Sequence, residues 1–141
     1  MSEQHTTSLA GRTALITGGA RRLGAAIAET LHAAGMNIAL HYRYSRSEAE
    51  ALAARLEALR PDSMLLLAAN LRDSAALGML VRAAAARWRR LDLLVNNASA
   101  FYPTPLDTAS EAQWEDLIGC NLKAPFFLAQ AAAPHLRASG G

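Results

Sequence analysis

Apolar residues recur along this chain in short solid runs, separated by longer stretches with a different period. Thr13–Thr17 reads Thr-Ala-Leu-Ile-Thr, Asn37–Tyr42 reads Asn-Ile-Ala-Leu-His-Tyr, Met64–Ala68 reads Met-Leu-Leu-Leu-Ala, and Leu91–Val95 reads Leu-Asp-Leu-Leu-Val. Runs this short, without a polar face, predict strands buried on both sides. Between them Leu23, Ile27 and Leu31 fall at i, i+4 and i+8, with Ala26, Thr30 and Ala34 beside them. That spacing predicts a helix over Leu23–Ala34, stopped by Gly35. Ser47-Glu48-Ala49-Glu50 has the form of a capping box and predicts a helix to about Arg60, ahead of Pro61. Asp73 or Ser74 caps the next helix, which runs to about Trp88. Ser110-Glu111-Ala112-Gln113 is another capping box. Its helix reaches about Arg137, and Pro125 and Pro134 are expected to kink or break it.

Strand–helix alternation predicts an α/β fold: a doubly wound parallel sheet with right-handed crossovers. The expected strand order is 3-2-1-4, with a nucleotide site at the switch point between strands 1 and 4. At 141 residues the chain is one domain. Met1–Ala10 is polar, has no apolar signal core and is expected to be a disordered tail, which leaves residues 11–141 as the folded part. Apolar content is 52%, with no stretch long enough to cross a membrane, and the net charge of +2 is too small to argue for nucleic acid. The single cysteine, Cys120, excludes a disulfide within the chain and offers no metal-ligand cluster. Neither nucleic acid, membrane nor metal is therefore expected as a partner, and a cytoplasmic protein is the default.

The chemistry concentrates where strands end. After the first strand comes Thr17-Gly18-Gly19-Ala20-Arg21-Arg22-Leu23-Gly24. Glycines let a backbone turn tightly and approach a phosphate, and the helix start beyond them offers N–H groups with a partial positive charge. Arg22 stands where the usual dinucleotide fingerprint has a middle glycine, adding a fork of donors; a solvated surface arginine is the plain alternative. After the second strand, His41-Tyr42-Arg43-Tyr44-Ser45-Arg46-Ser47 holds no acid to meet a ribose 2′-hydroxyl, whereas two arginines and hydroxyls suit a 2′-phosphate. Asn70, after the third strand, either meets an adenine edge or only tightens a turn. After the fourth, Asn96 and Asn97 can tie neighbouring strands. Phe101 is an aromatic in the loop beyond, either stacked on a ligand or packed in the core.

Together Thr-Gly-x-x-x-Arg-x-Gly, His41-Tyr42 with Ser45, Asn96-Asn97-Ala98-Ser99-x-Phe101-Tyr102-Pro103-Thr104-Pro105-Leu106, and Asn121 with Ala124-Pro125-Phe126 resemble the short-chain dehydrogenase/reductase family, within it the pteridine reductases. The resemblance covers Arg12 to about Arg137. It implies a Rossmann-like domain, here truncated after the fourth strand and the helix that follows it. It further implies NADPH-dependent reduction of a pterin such as dihydrobiopterin, dihydromonapterin or dihydrofolate. By the same resemblance the cofactor is bound by Gly18, Arg21, Arg22, Leu23 and Gly24 along the pyrophosphate. Beyond them come His41, Tyr42, Arg43, Ser45 and Arg46, of which Arg43, Ser45 and Arg46 take the 2′-phosphate. Asn70 and Leu71 sit by the adenine, and Asn97, Ala98 and Ser99 pass the nicotinamide ribose. Arg22, Ser99 and Phe101 touch the pterin, and Asn121 is the helix asparagine that positions a water in the proton relay. The family usually has Asp where this chain has Asn70, and its Tyr-x-x-x-Lys pair is absent: none of Tyr42, Tyr44 or Tyr102 has a Lys four residues on. The chain is thus expected to be the cofactor-binding half of a reductase, inactive alone, whose full-length form is a homotetramer. A carbonyl or 3-oxoacyl reductase and a non-catalytic nucleotide-binding module are the alternatives.

Overall fold

The computed structural model describes residues 8–141, so the tail expected over Met1–Ala10 lies largely outside the described residues. The elements run β1 (Thr13–Ile16), α1 (Arg22–Ala33), β2 (Asn37–Tyr42), α2 (Arg46–Leu59), β3 (Met64–Ala68), α3 (Ser74–Arg87), β4 (Leu93–Val95), α4 (Glu111–Ile118), a π-helical turn (Gly119–Lys123) and α5 (Ala124–Ser139). The four strands form one parallel sheet in the order β3-β2-β1-β4, as the alternation predicts. In β1 and β2, Ala14, Ile16, Ile38 and Leu40 pack with α1 and α2, while Leu15 and Ala39 pack with α3 and α5 on the other face. Successive strand residues point to opposite faces, so a sheet covered on both sides needs runs with no polar face. Small residues buried on the helices, Ala28 and Ala49 on one side, Ala84, Ala124 and Ala132 on the other, let the helix backbones lie close to the sheet.

Three local expectations are corrected. The box at Ser47 does not form: α2 starts two residues earlier, at Arg46, with Ser45 as its N-cap and no side-chain cap bond. Glu50 is instead one turn above Arg46 and accepts from its Nε at 2.8 Å. β4 is shorter than Leu91–Val95: the Asp92 N–H still donates to the Thr13 carbonyl at 2.9 Å, but the Thr13 N–H is taken at 2.9 Å by the Asp92 carboxylate, which also binds the Arg90 guanidinium. The helix after Ser110 is interrupted by the π turn just before Pro125, whereas Pro134 lies inside a continuous α5. A proline lacks the N–H that α-helical geometry would return to Asn121, and its ring crowds that carbonyl, so a wider turn relieves both. The box at Ser110 does form, with both reciprocal bonds to Gln113. Among the described residues no helix is long and apolar enough to cross a membrane.

Candidate functional site

The loops that leave the carboxyl ends of all four strands enclose a cleft of about 560 Å³. Its floor is the turn after β1. Gly18 has φ +61°, and a Cβ added there would lie 2.9 Å from the Ala98 Cα; at Gly24 it would lie 2.3 Å from the Gly18 carbonyl oxygen. Only glycine permits this closeness of turn, helix α1 and β4 loop. The turn is fastened by Thr17, which is buried. Its hydroxyl accepts the N–H groups of Asn97 (3.1 Å) and Ala98 (3.0 Å) and faces the Val95 carbonyl. Asn97 answers with its side-chain amide, donating to the carbonyls of Thr17 and Gly18, each at 3.0 Å. Thr17 stands in the motif, yet its role depends on a loop some eighty residues away, which no local spacing announces.

Every residue expected at the cofactor lines this cleft except Arg46. Arg46 begins α2 and turns along the helix to Glu50. Arg43 lies over the Tyr44 ring, 4.6 Å from its centroid, and both line the cleft with Ser45. His41 also borders it, yet both ring nitrogens are used internally: Nδ1 accepts the Gly18 N–H at 3.2 Å, and Nε2 donates to the Ala69 carbonyl at 3.0 Å. Burial pushes the His41 pKa below its ordinary value, against the pull of that carbonyl, and a neutral ring is what the two bonds require. Asn70 uses Oδ1 to tighten its turn on the Arg72 N–H at 3.1 Å, and the residue borders the cleft.

The far wall holds residues that the sequence did not single out for the site: Arg72, Asp116 and Cys120. Arg72 donates to Asp116 at 3.2 Å, and the Tyr102 hydroxyl donates to the other Asp116 oxygen at 3.0 Å. Burial, then the Asp116 bond, pushes the Tyr102 pKa up, so the phenol keeps its proton. Burial likewise raises the Cys120 thiol. Ser99 borders the cleft; Phe101 does not, and stands 89% exposed outside it. Asn121 lies in the π turn and spends its side chain on the backbone of Ala100, accepting its N–H at 2.8 Å and donating to its carbonyl at 2.7 Å.

Residues 12–141 match the family model described as short chain dehydrogenase. The chain is similar to pteridine reductase 1 of Leishmania tarentolae, 41% identical over 91% of this chain and 55% of that protein. It is also similar to the 3-oxoacyl-(acyl-carrier-protein) reductase FabG of Staphylococcus aureus, 34% identical over 89% of this chain and 50% of that protein. Among solved structures, a short chain dehydrogenase from Burkholderia cenocepacia in complex with NADP superposes with a TM-score of 0.87 at 37% identity, covering 92% of this chain and 52% of that one. The chain spans about half the length of the curated relatives it matches.

Proposed function

The chain belongs to the short-chain dehydrogenase family, and on that premise we propose that its cleft holds NADPH and that the whole protein reduces a pterin such as dihydrobiopterin, dihydromonapterin or dihydrofolate. The observation that carries the cofactor reading is which helix starts are left open. Asp73 caps α3 and Ser110 caps α4, but α1 and α2 have no side-chain cap, and their N-cap residues, Arg21 and Ser45, line the cleft. Uncapped N–H groups beside Arg21 and Arg22 suit a pyrophosphate, and those beside Arg43 and Ser45 suit a 2′-phosphate. No carboxylate stands between His41 and Ser47 to select a free 2′-hydroxyl.

NADPH, when bound, supplies a hydride. The chain's own residues hold, orient and exclude water. Thr17 and Asn97 fix the floor under the nicotinamide ribose, and His41 fixes the turn from the other side. Arg22 and Ser99 reach the substrate, with Phe101 over its ring. The pterin reading rests on these positions and on the likeness to a pteridine reductase. Asn121 serves the proton relay through its main-chain carbonyl, because its side chain is engaged and Pro125 returns no N–H to it. The proton donor is expected outside residues 1–141: no Tyr among them has a Lys four residues on, and the Tyr102 hydroxyl is committed to a hydrogen bond on Asp116. Acid catalysis is worth roughly 10²–10⁴ in rate, so these residues by themselves are expected not to turn over. We place the whole protein among soluble cytoplasmic homotetramers. Likeness to a 3-oxoacyl reductase supports a second reading, a ketone substrate in the same cleft.

The test is titration at fixed salt, followed by assay of the whole protein. NADPH is expected to bind about tenfold more tightly than NADH, since charge-assisted bonds contribute roughly 1.5–3 kcal/mol each, and Arg43→Ala is expected to erase most of that preference. Equal dissociation constants would overturn the NADPH reading. Turnover of a 3-oxoacyl thioester without any of dihydrobiopterin would give the substrate to the second reading.

A further inference from the structure

The chain on both sides of Phe101 is held by two successive elements, α4 and the π turn that follows it. Before it, Ala100 is gripped at N–H and carbonyl by Asn121 of the π turn; after it, the Tyr102 hydroxyl is bonded to Asp116 of α4. Phe101 itself, between the two grips, is 89% exposed. A large apolar ring held out in water on a fixed backbone is a surface offered to something. Its loop has no helix or strand of its own, so these grips set its shape. Pro103 and Pro105 add stiffness by restricting Tyr102 and Thr104 to extended backbone. With Tyr102 extended, the direction of the loop past Phe101 depends on where its hydroxyl is tied.

Building on the reading of Phe101 as the residue that stacks on the substrate, we propose that Tyr102 is a positioning residue: by its bond to Asp116 it fixes the angle at which the Phe101 ring meets a planar heteroaromatic substrate. Tyr102 does not border the cleft, so it acts only through its neighbour. Asp116 does border it and is shared with Arg72 of the β3–α3 loop. One carboxylate therefore braces the substrate loop against the loop that follows β3. The Tyr102 phenol stays protonated and donating through the ordinary pH range, as its raised pKa requires.

Tyr102→Phe removes the bond and nothing else, and it leaves Asp116 paired with Arg72, so the fold is kept. In the whole protein with NADPH and dihydrobiopterin, this variant is expected to raise the KM for the pterin about fivefold more than the KM for NADPH, the equivalent of one ordinary hydrogen bond. Introduced on top of Phe101→Ala, it is expected to add no further rise, because there is no ring left to aim. An equal rise in both KM values, an additive double variant, or an unchanged pterin KM would each overturn the inference. If Phe101→Ala weakens the pterin and Tyr102→Phe does not, the substrate reading stands and this inference alone falls. A wild-type protein that neither binds biopterin, by quenching of the pterin's own fluorescence, nor reduces it removes both.

Discussion

Arg22 adopts φ +51° at the first residue of α1, a conformation that glycine takes freely and an arginine does not. Holding a branched backbone there costs about 1–2 kcal/mol. The side chain is exposed and lines the cleft, so no core packing offsets that strain. Arg22→Gly is therefore expected to raise stability, by up to about 1 kcal/mol after glycine's extra unfolded-state entropy is counted, while weakening NADPH. Urea melts and cofactor titration on the same variant check both halves; a loss of stability would show that the side chain packs after all. Site residues with one local job were legible in the sequence: the glycines of the turn, and Arg43 and Ser45 beyond β2. Residues defined by what folds against them were not. Thr17 receives bonds from the loop after β4 and Asp116 from Arg72 in the loop after β3, both far away in the chain, and no spacing announces that. Arg46 stands in the same basic run as Arg43, and nothing local separates the two: one borders the cleft, the other pairs with Glu50 a turn along its own helix.

At the level of elements, strand and helix order was readable because both faces of the sheet are apolar, and the pattern switches period cleanly at each loop. The π turn was not, since a proline announces a fault in a helix without saying which kind. Helix α1 has little room where it meets the turn. A Cβ at Gly24 would meet the Gly18 carbonyl oxygen at 2.3 Å and the Asn97 amide at 2.6 Å. Gly24→Ala is expected to push α1 off the turn, lowering stability by about 1–3 kcal/mol as overpacking does, and to weaken cofactor binding with it. Guanidinium melts would show the first effect and titration the second. A wild-type melt would mean that helix and turn separate without strain.

Across the whole molecule, two buried histidines tie elements together as neutral rings. His41 joins the β1 turn to the end of β3, and His32 of α1 meets the Ser63 hydroxyl at 2.8 Å. Burial lowers both pKa values, helped at His32 by the Arg60 charge. Below about pH 6.5 the unfolded chain binds protons that the folded one refuses, so stability is fully present above that value and lost as pH falls beneath it. Melts at about pH 7.5 and about pH 5.5 are expected to differ by up to about 1.4 kcal/mol per pH unit for each ring. His41→Gln is expected to remove its share of that slope. A pH-independent midpoint through this range would mean that the rings bind protons equally in the folded and unfolded chain, with neither pKa lowered by folding.

The fastening of Thr17 to Val95, Asn97 and Ala98 joins parts of the chain that are synthesised far apart. Strands β1, β2 and β3 can pair as each emerges, but the floor of the cleft exists only once β4 has docked on the opposite edge of β1. Closing so long a loop is the step with the least local help. A ligand that touches both the Gly18 turn and the Ala98 loop binds only the closed form. By mass action it adds about 2.7 kcal/mol to that form at a hundred times its dissociation constant. Supply of such a ligand would then help to set how much newly made chain persists folded.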